Sequence, residues 1–447
     1  MHEGETYKVI IESYDVNGYG VCHINDLVVF VKNSLVDEEV IIKITNVHKK
    51  YAFSECIKVL KESSHRIKPV CPYYGLCGGC DLMHVDYETE CLIKENKLKL
   101  SFRKFPNCKI NNIISNPKIL GYRNKVMVPF GINEDDERIW GFYQKNSHDI
   151  IPMDNCLISD DLSNKIINFI NRYLNIFHIS IYDEKEHKGL FKEVMVRHTA
   201  LNEYMVVLVT TKDYDFSKLI DYLISEFKEI KSIYLNINPE KTNVVLSNTY
   251  KLLYGIPQIT EDILGLKFMV SPQSFLQVNH DQCEALYKEV LRMANINKKM
   301  NVIDAYCGIG SITLNLAKNA KYVYGIEIVK EAIENANKNK LLNEIDNCSF
   351  ICGKCEEEIK KISLNEKVDV IVFDPPRKGC DIEFLKTVIN MEIPNIVYVS
   401  CNVATLARDV EILMKNGYEL IEATPVNLFG STLHVECVAH LILKNPK

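Results

Sequence analysis

Two stretches near the C-terminus carry side chains that could do covalent chemistry. Cys401 lies in "NIVYVSCNVATLARD" (395–409), where a β-branched and aromatic run gives way to a helical pattern. This spacing predicts a thiol at a strand-to-helix junction, the edge of an open α/β sheet at which ligands bind. Glu436, in "LHVECVAHL", has apolar neighbours and is predicted to be half buried on a final strand. A thiolate can add to an electron-poor carbon and a carboxylate can remove a proton, although most free cysteines are buried hydrophobes and most glutamates lie on the surface.

A third acidic residue is predicted at the same edge. Asp374 follows a buried strand in "VIVFDPPRKGC" (370–380), and Pro375 and Pro376 keep the backbone extended there. The motif resembles the Asp-Pro-Pro-Tyr of amino methyltransferases. Arg377 stands where those enzymes have an aromatic residue that stacks on the base, which disfavours an exocyclic amine as the target.

A glycine-containing turn predicts a nucleotide-like cofactor. "VIDAYCGIGSITLNLA" (302–317) reads as a strand, a turn with Gly308 and Gly310, and a helix. Glu327 ends the next predicted strand, where a carboxylate can accept hydrogen bonds from ribose hydroxyls. The full G-x-G-x-x-G fingerprint is missing, which disfavours a dinucleotide. The pattern resembles S-adenosylmethionine methyltransferases, and another nucleotide-binding α/β domain is the alternative.

These residue types suit methylation of a pyrimidine at C5. That carbon is a poor nucleophile, but addition of a thiolate to C6 produces an enolate whose C5 can attack a methyl sulfonium. A base must then remove the C5 proton before the thiolate leaves. Cys401 and Glu436 supply the two groups that this chemistry requires.

A separate cysteine group predicts a metal or cluster site. "CPYYGLCGGC" (71–80) places Cys71, Cys77 and Cys80 within ten residues, and a fourth ligand is required. Zinc and an iron–sulfur cluster both remain open, since both take four thiolates. "CGKC" (352–355) has the spacing of a zinc half-site, but no second such pair follows it. We interpret its two cysteines as bystanders.

The elements that must position these residues fall into three predicted regions. From about residue 283, strands and helices alternate as in a doubly wound, mostly parallel sheet of an α/β protein. The middle of the chain mixes strands and helices in an α+β pattern. The N-terminal part has several short strands and an Asn17-Gly18 hairpin signal, which suggest a small closed OB-like β-barrel. The predicted domains are 1–62, 63–260 and 261–447.

Composition excludes several classes of protein. The 447 residues are 47% hydrophobic and 25% charged, with no apolar run of 18 residues and no basic-then-apolar start. We therefore expect a cytoplasmic protein without membrane insertion or secretion, and a monomer with no obligate protein partner. The 16 cysteines are then expected to be thiols or metal ligands rather than disulfides.

The net charge of −6 hides two basic segments. Residues 94–125 hold nine Lys and Arg and one acidic residue, Glu95, and residues 43–68 hold seven Lys and Arg against two glutamates. Such segments suit contact with a phosphate backbone. A solvated helix or loop face is the alternative for each.

Taken together, the motifs of the C-terminal half resemble the RNA uracil-5-methyltransferases. The matching pieces are "SPQSFLQVN" (271–279), "DAYCGIG" (304–310), "GIE" (325–327), "DPPRKG" (374–379), "VSCNVATLARD" (399–409) and "HVE" (434–436). The resemblance implies a Rossmann-like class I methyltransferase sheet with Cys401 as nucleophile and Glu436 as base. It further implies contacts to S-adenosylmethionine from Gln277, Tyr306, Glu327 and Asp374. It also implies that Gln277 and Asp374 lie near the target base.

The N-terminal half extends the resemblance. Its barrel resembles a TRAM domain, an RNA-binding module, and the cysteine group resembles the family's [4Fe–4S] site, which implies Cys156 in "IPMDNCLIS" as the fourth ligand. Barrel, cluster and catalytic domain together are similar to the branch that modifies 23S ribosomal RNA, and transfer RNA is the alternative substrate. A non-catalytic RNA-binding protein is the alternative of another class. Cytosine-5 methylation is disfavoured because those RNA enzymes use a second cysteine in a Pro-Cys motif, which "DPPRKGC" does not provide.

Overall fold

The computed structural model describes residues 1–115, 118–145, 147–242 and 244–444. The first strands are β1 (Thr6–Ile10), β2 (Ser13–Tyr14), β3 (Gly20–Ile24), β4 (Leu27–Lys32), β5 (Glu39–Val47) and β6 (Tyr51–Lys61). They form one sheet in the order β1-β5-β6-β4-β3-β2. Alternate residues of β5 turn inward onto a core that includes Ile11, Val29, Val31 and Ile42. The sheet is a half-barrel, so the closed OB-like barrel expected from the sequence is not confirmed.

The next elements lie inside the basic segment 94–125 or lead into it. They are α1 (Tyr87–Ser101), which Asp86 caps by accepting a hydrogen bond from the Thr89 amide at 2.8 Å, and β7 (Lys109–Ile110).

A mixed sheet occupies the middle of the chain. Its strands are β8 (Lys125–Ile132), β9 (Arg138–Tyr143), β10 (Ile150–Pro152), β11 (Phe191–His198), β12 (Tyr204–Thr210), β13 (Ile230–Ile237) and β14 (Tyr250–Gly255), and its helices are α2 (Asp161–Ile176) and α3 (Ser217–Glu226). The strand order is β10-β9-β8-β11-β12-β13-β14, with every residue of β12 buried. Apolar residues of α2 such as Ile166 and Ile170 pack against this sheet.

A hairpin, β15 (Ile259–Ile263) and β16 (Leu266–Val270), and a helix, α4 (His280–Ala294), lead into the last sheet. The strands of that sheet are β17 (Asn301–Ala305), β18 (Tyr322–Glu327), β19 (Cys348–Cys352), β20 (Val370–Phe373), β21 (Asn395–Ser400), β22 (Tyr418–Val426) and β23 (Glu436–Leu443). The helices are α5 (Ser311–Ala317), α6 (Lys330–Leu342), α7 (Cys355–Asn365), α8 (Ile382–Asn390) and α9 (Val403–Lys415).

The last sheet is doubly wound, as the sequence predicts. Its order is β19-β18-β17-β20-β21-β23-β22-β7, and β19 to β21 are parallel. Successive strands are added on one side of β17 up to β19 and on its other side from β20 onward. This change of side between β17 and β20 places a ligand crevice at their carboxyl ends. All residues of β17 and β20 are buried between apolar clusters on the two faces.

The basic segment packs on this last sheet. Ile110 of β7 pairs with Ala423 of β22, and Lys104 forms an ion pair with Glu411 of α9. Lys94 is fully buried. Neither the phosphate contact predicted for this segment nor its alternative, a solvated face, therefore holds for Lys94, whose partners are described below. Among the described residues, no helix has the length and apolarity needed to cross a membrane.

Candidate active site

Adjacent strand ends bring together the three residues expected to do chemistry. Asp374 follows β20, Cys401 follows β21, and Glu436 begins β23. Strands β21 and β23 are antiparallel with Ser400 opposite Cys437. Continuing that register by one residue places Cys401 opposite Glu436.

The Cys401 thiol lies in a partly buried, charged environment. Burial, followed by the carboxylates of Glu436 and Asp374, raises its pKa to about 11, and Arg377 opposes the rise. Asn402 begins α9 by accepting hydrogen bonds from the amides of Ala404 and Thr405 at 3.0 and 3.4 Å. Because its pKa is raised, the Cys401 thiol is protonated at neutral pH and must lose its proton to become a nucleophile.

Glu436 has the environment of a general base. The residue is 2% exposed, and its Oε2 has no hydrogen-bond partner among the described residues. Burial raises the pKa of Glu436, the Asp374 charge raises it further, and Arg377 opposes the rise. Burial also raises the pKa of Asp374. A buried, unpartnered carboxyl with a raised pKa can accept a proton from a bound base.

A buried carboxylate that sequence reasoning missed fixes the loop after β20. Asp409 accepts hydrogen bonds from the Tyr398 hydroxyl at 2.8 Å and from the Cys380 amide at 2.9 Å. Gly379 has φ 79°, and a Cβ there would lie 2.7 Å from Asp409 Oδ2. This contact explains the glycine in "DPPRKG" and ties the Asp374 loop to the helix that follows Cys401. The sequence feature that could have identified Asp409 is an acidic residue at a position of α9 that faces the core.

The turn after β17 is shaped to take a ligand. Tyr306, Gly308 and Gly310 have φ values of 63°, 54° and 84°, and a Cβ on Gly308 would meet no atom within 4 Å. Glu327 accepts hydrogen bonds from the Gly308 amide at 3.3 Å and the Val329 amide at 2.9 Å. These residues fit S-adenosylmethionine, because the backbone is open at Gly308 and the Glu327 carboxylate keeps acceptor capacity for ribose hydroxyls.

Two apolar residues beside this turn were not anticipated. Ile328 is 62% exposed and Val329 is 49% exposed, directly after Glu327. Their position at the strand end could have been read from "GIEIV", but only the structure shows that they are uncovered. They offer an apolar surface for a planar base.

Gln277 lies in a loop held by Asn124, directly before β8, and by Arg197 of β11. The residue is 6% exposed, and its carbonyl accepts a hydrogen bond from Asn124 at 3.2 Å. Buried Arg197 donates to the carbonyls of Ser271 and Ser274 at 2.9 and 2.7 Å. Asn279 donates to Leu428 at 3.0 Å, which joins this loop to the connection that leads to Glu436.

The four cysteines expected to bind a cluster, Cys71, Cys77, Cys80 and Cys156, share one neighbourhood. Cys71, Cys80 and Cys156 pack against buried Met83 and Tyr122. Burial raises the pKa values of Cys71, Cys77 and Cys80, and the charge of Cys156 contributes to each rise. Within the described ranges, however, no group of three His, Cys, Asp or Glu side chains converges enough to hold a metal ion. All sixteen cysteines are free thiols.

Comparison with known protein families shows which family the chain belongs to. The model of the tRNA (uracil-5-)-methyltransferase family matches residues 86–444. The chain belongs to this family. The model of the TRAM domain matches residues 2–57. The two matches together show an S-adenosylmethionine-dependent RNA methyltransferase with an N-terminal TRAM domain.

Similar proteins span the same length. An uncharacterized RNA methyltransferase of Oceanobacillus iheyensis is 41% identical over 99% of this chain and 98% of its own length. One of Caldanaerobacter subterraneus is 41% identical over 98% of both chains. The crystal structure of Pyrococcus abyssi tRNA (uracil-54, C5)-methyltransferase with S-adenosyl-L-homocysteine is 27% identical, with a TM-score of 0.78 over 97% of this chain and 99% of that one.

Proposed function

We propose that this methyltransferase acts on C5 of uridine in 23S ribosomal RNA through a covalent adduct between Cys401 and C6 of the base. The observation that carries the proposal is the cross-strand placement of Cys401 and Glu436 beside Asp374. A non-catalytic RNA-binding protein would have no use for a buried, unpartnered carboxyl facing a cysteine.

The residues would divide the reaction as follows. Bound S-adenosylmethionine supplies an electrophilic methyl group. Cys401 gives its thiol proton to solvent, the resulting thiolate forms a bond to C6, and the electron pair of the C5–C6 double bond moves onto the C4 carbonyl. C5 then bonds to the methyl carbon as the sulfonium–carbon bond breaks. Glu436 takes the C5 proton, the double bond reforms, and the Cys401 thiolate leaves.

The remaining proposed site residues hold the reactants. Tyr306 and Glu327 border the open turn at Gly308 and are assigned to the cofactor. The family resemblance assigns Gln277 and Asp374 to both the cofactor and the target base. In support, each belongs to a loop tied to the helix after Cys401 or to the connection before Glu436.

Two substrates have specific support. The combination of a TRAM domain with a cysteine group resembles the ribosomal-RNA branch, whereas the Pyrococcus abyssi enzyme is named for transfer RNA. Labelled methyl transfer onto unmodified transcripts of 23S ribosomal RNA and of transfer RNA, compared side by side, decides between them. Label in 5-methyluridine of the ribosomal RNA supports the proposal, and label in transfer RNA alone contradicts the substrate assignment.

A groove beside the active site suits an RNA strand. It has a volume of about 830 Å³ and runs between the half-barrel, α1 and α9. Its lining includes two aromatic residues, several cations such as Arg103, and two carboxylates, Asp15 and Glu411. Aromatic faces and cations together bind single-stranded RNA.

Binding of RNA should therefore weaken steeply with salt. We expect log Kd to change linearly with log salt, and Arg103→Ala to reduce the slope by about 1. Lys99→Ala is the control, because Lys99 lies on α1 outside the residues that line the groove. Filter binding at several salt concentrations measures both slopes, and an unchanged slope for Arg103→Ala would remove this groove from the RNA path.

Activity and stability should respond to pH in opposite directions. Glu436 must be ionised to accept the C5 proton, so methylation should rise as pH rises from the ordinary carboxyl pKa of 4.5 through neutrality. In that range the folded state binds more protons than the unfolded state, because the folded pKa is raised, so the free energy of unfolding falls. Glu436→Gln should lose less stability over the same range. Denaturant titration at several pH values checks this, and equal pH dependence of the two proteins would contradict the raised pKa.

We also propose that Cys71, Cys77, Cys80 and Cys156 bind a [4Fe–4S] cluster. The support is the set of four neighbouring thiols and the family resemblance. Protein purified without oxygen should contain about four iron and four sulfide per chain, and Cys156→Ala should contain far less. Cys56→Ala, which alters a half-buried cysteine of the half-barrel, is the control. Zinc without iron would overturn the assignment.

A further inference from the structure

The connection between β22 and β23, residues 427–435, is held far more firmly than an ordinary loop. It starts directly after Val426, the cross-strand partner of Glu436, and it ends directly before Glu436. Any displacement of this connection therefore moves the proposed base.

A buried ion pair on α1 holds the connection from one side. Lys94 is fully buried, and its ammonium donates to Glu90 at 2.8 Å, to the Asn427 side chain at 2.6 Å and to the Phe429 carbonyl at 2.9 Å. These contacts use all three of its N–H donors. The Glu90 carboxylate accepts hydrogen bonds from the Asn427 side chain at 2.9 Å and from the Ser431 amide at 3.0 Å.

The segment that follows Cys80 holds the same connection from another side. The amides of Asp81 and Leu82 both donate to the Ser431 carbonyl at 2.9 Å. The Tyr122 hydroxyl donates to the Gly430 carbonyl at 3.0 Å, and Tyr122 also packs against the cysteine group.

Cys401 is held by a different set of contacts. Ser400 bonds Asn402, Asn402 caps α9, and Asp409 ties that helix to the Cys380 loop. Among the described residues, none of these hydrogen bonds involves residues 427–435. Loosening the connection should thus displace Glu436 while leaving the nucleophile in place.

We propose that the Lys94–Glu90 ion pair, with the Asp81 and Leu82 amides and the Tyr122 hydroxyl, is a positioning device for Glu436. This inference rests on the proposed function, and it assigns the device to the second half of the reaction, the removal of the C5 proton. It also connects the cysteine group to the base through Asp81, the residue next to Cys80.

The test compares turnover with the amount of trapped adduct on natural uridine RNA. The probe is whichever unmodified transcript, 23S ribosomal or transfer RNA, accepts the methyl group. Lys94→Met should slow turnover on the order of 10- to 100-fold and should raise the fraction of protein in a denaturation-resistant RNA adduct, because elimination waits for the base. Tyr122→Phe should do the same to a smaller extent, and Lys99→Ala, on the exposed side of α1, should change neither quantity.

A merely structural role gives a different result. If turnover and adduct fall together in Lys94→Met and Tyr122→Phe, or if neither changes, the positioning role is wrong. Should Lys94→Met fail to fold, Tyr122→Phe decides by the same criterion, because it removes one hydroxyl and leaves the packing intact.

The proposed function is judged separately in the same experiment. Adduct accumulation in Glu436→Gln without any in Lys94→Met or Tyr122→Phe overturns the positioning role alone. Absence of any Cys401-dependent adduct, even on 5-fluorouridine RNA, overturns the proposed function and the positioning role with it.

Discussion

Replacing Cys401 with alanine should abolish methyl transfer, with turnover reduced by a factor on the order of 10⁴ or more. The reason is chemical. Without a thiolate on C6, C5 of uridine has no enolate electron pair with which to attack the methyl group. Radiolabelled S-adenosylmethionine and an unmodified transcript measure the loss. Binding of S-adenosylmethionine should be unchanged, because the Gly308 turn and Glu327 lie on other strands.

Trapping gives the same variant a second readout. With 5-fluorouridine RNA, the fluorine cannot leave as a proton does, so the wild-type protein should remain bound to RNA after denaturation. Cys401→Ala should form no such complex. Cys108→Ala is a matched control, since Cys108 is a half-buried thiol beside the same sheet, and it should behave as wild type. A Cys401→Ala protein that still methylates RNA would contradict the assignment of the nucleophile.

Glu436→Gln should give the second largest effect. Turnover should fall by about 10²- to 10⁴-fold, because glutamine keeps the shape of the side chain but cannot accept the C5 proton. The first half of the reaction remains available, so methylated RNA should accumulate on Cys401. Gel electrophoresis under denaturing conditions measures this adduct on natural uridine RNA.

The control for this variant is Glu419→Gln. Glu419 lies on β22, in the same sheet, and is partly exposed with a distant ion pair to Lys444. Its substitution should leave turnover and adduct unchanged. If Glu436→Gln lost turnover without accumulating adduct, Glu436 would act before or during methyl transfer and another group would remove the C5 proton.

Local sequence patterns predicted where the chemistry lies in the fold. The apolar run before Cys401 and the helical pattern after it placed the thiol at the carboxyl end of a parallel strand, and β21 and α9 are found there. The apolar neighbours of Glu436 predicted a half-buried position on the last strand, and the structure buries the residue further, to 2% exposure. Both predictions rest on short-range periodicity, which neighbouring residues alone determine.

Long-range pairing could not be predicted in the same way. The charges around Lys94 predicted contact with a phosphate backbone, with a solvated face as the alternative, but the partners of Lys94 include Asn427, more than 300 residues away. The strand register that places Cys401 opposite Glu436 depends on the position of β23 between β21 and β22 in the sheet. The N-terminal strands were recognised from their alternation, but alternation carries no information on closure, and the sheet is a half-barrel.

The proposal that the methyl group goes to C5 is tested most directly by following the hydrogen that it replaces. RNA transcribed with uridine tritiated at C5 is incubated with the protein, with and without S-adenosylmethionine. With S-adenosylmethionine present, we predict that one tritium is released into water for each methyl group transferred, at the same rate as methyl transfer. Methyl transfer with all tritium retained would place the methyl group elsewhere on the RNA and contradict the roles of both Cys401 and Glu436.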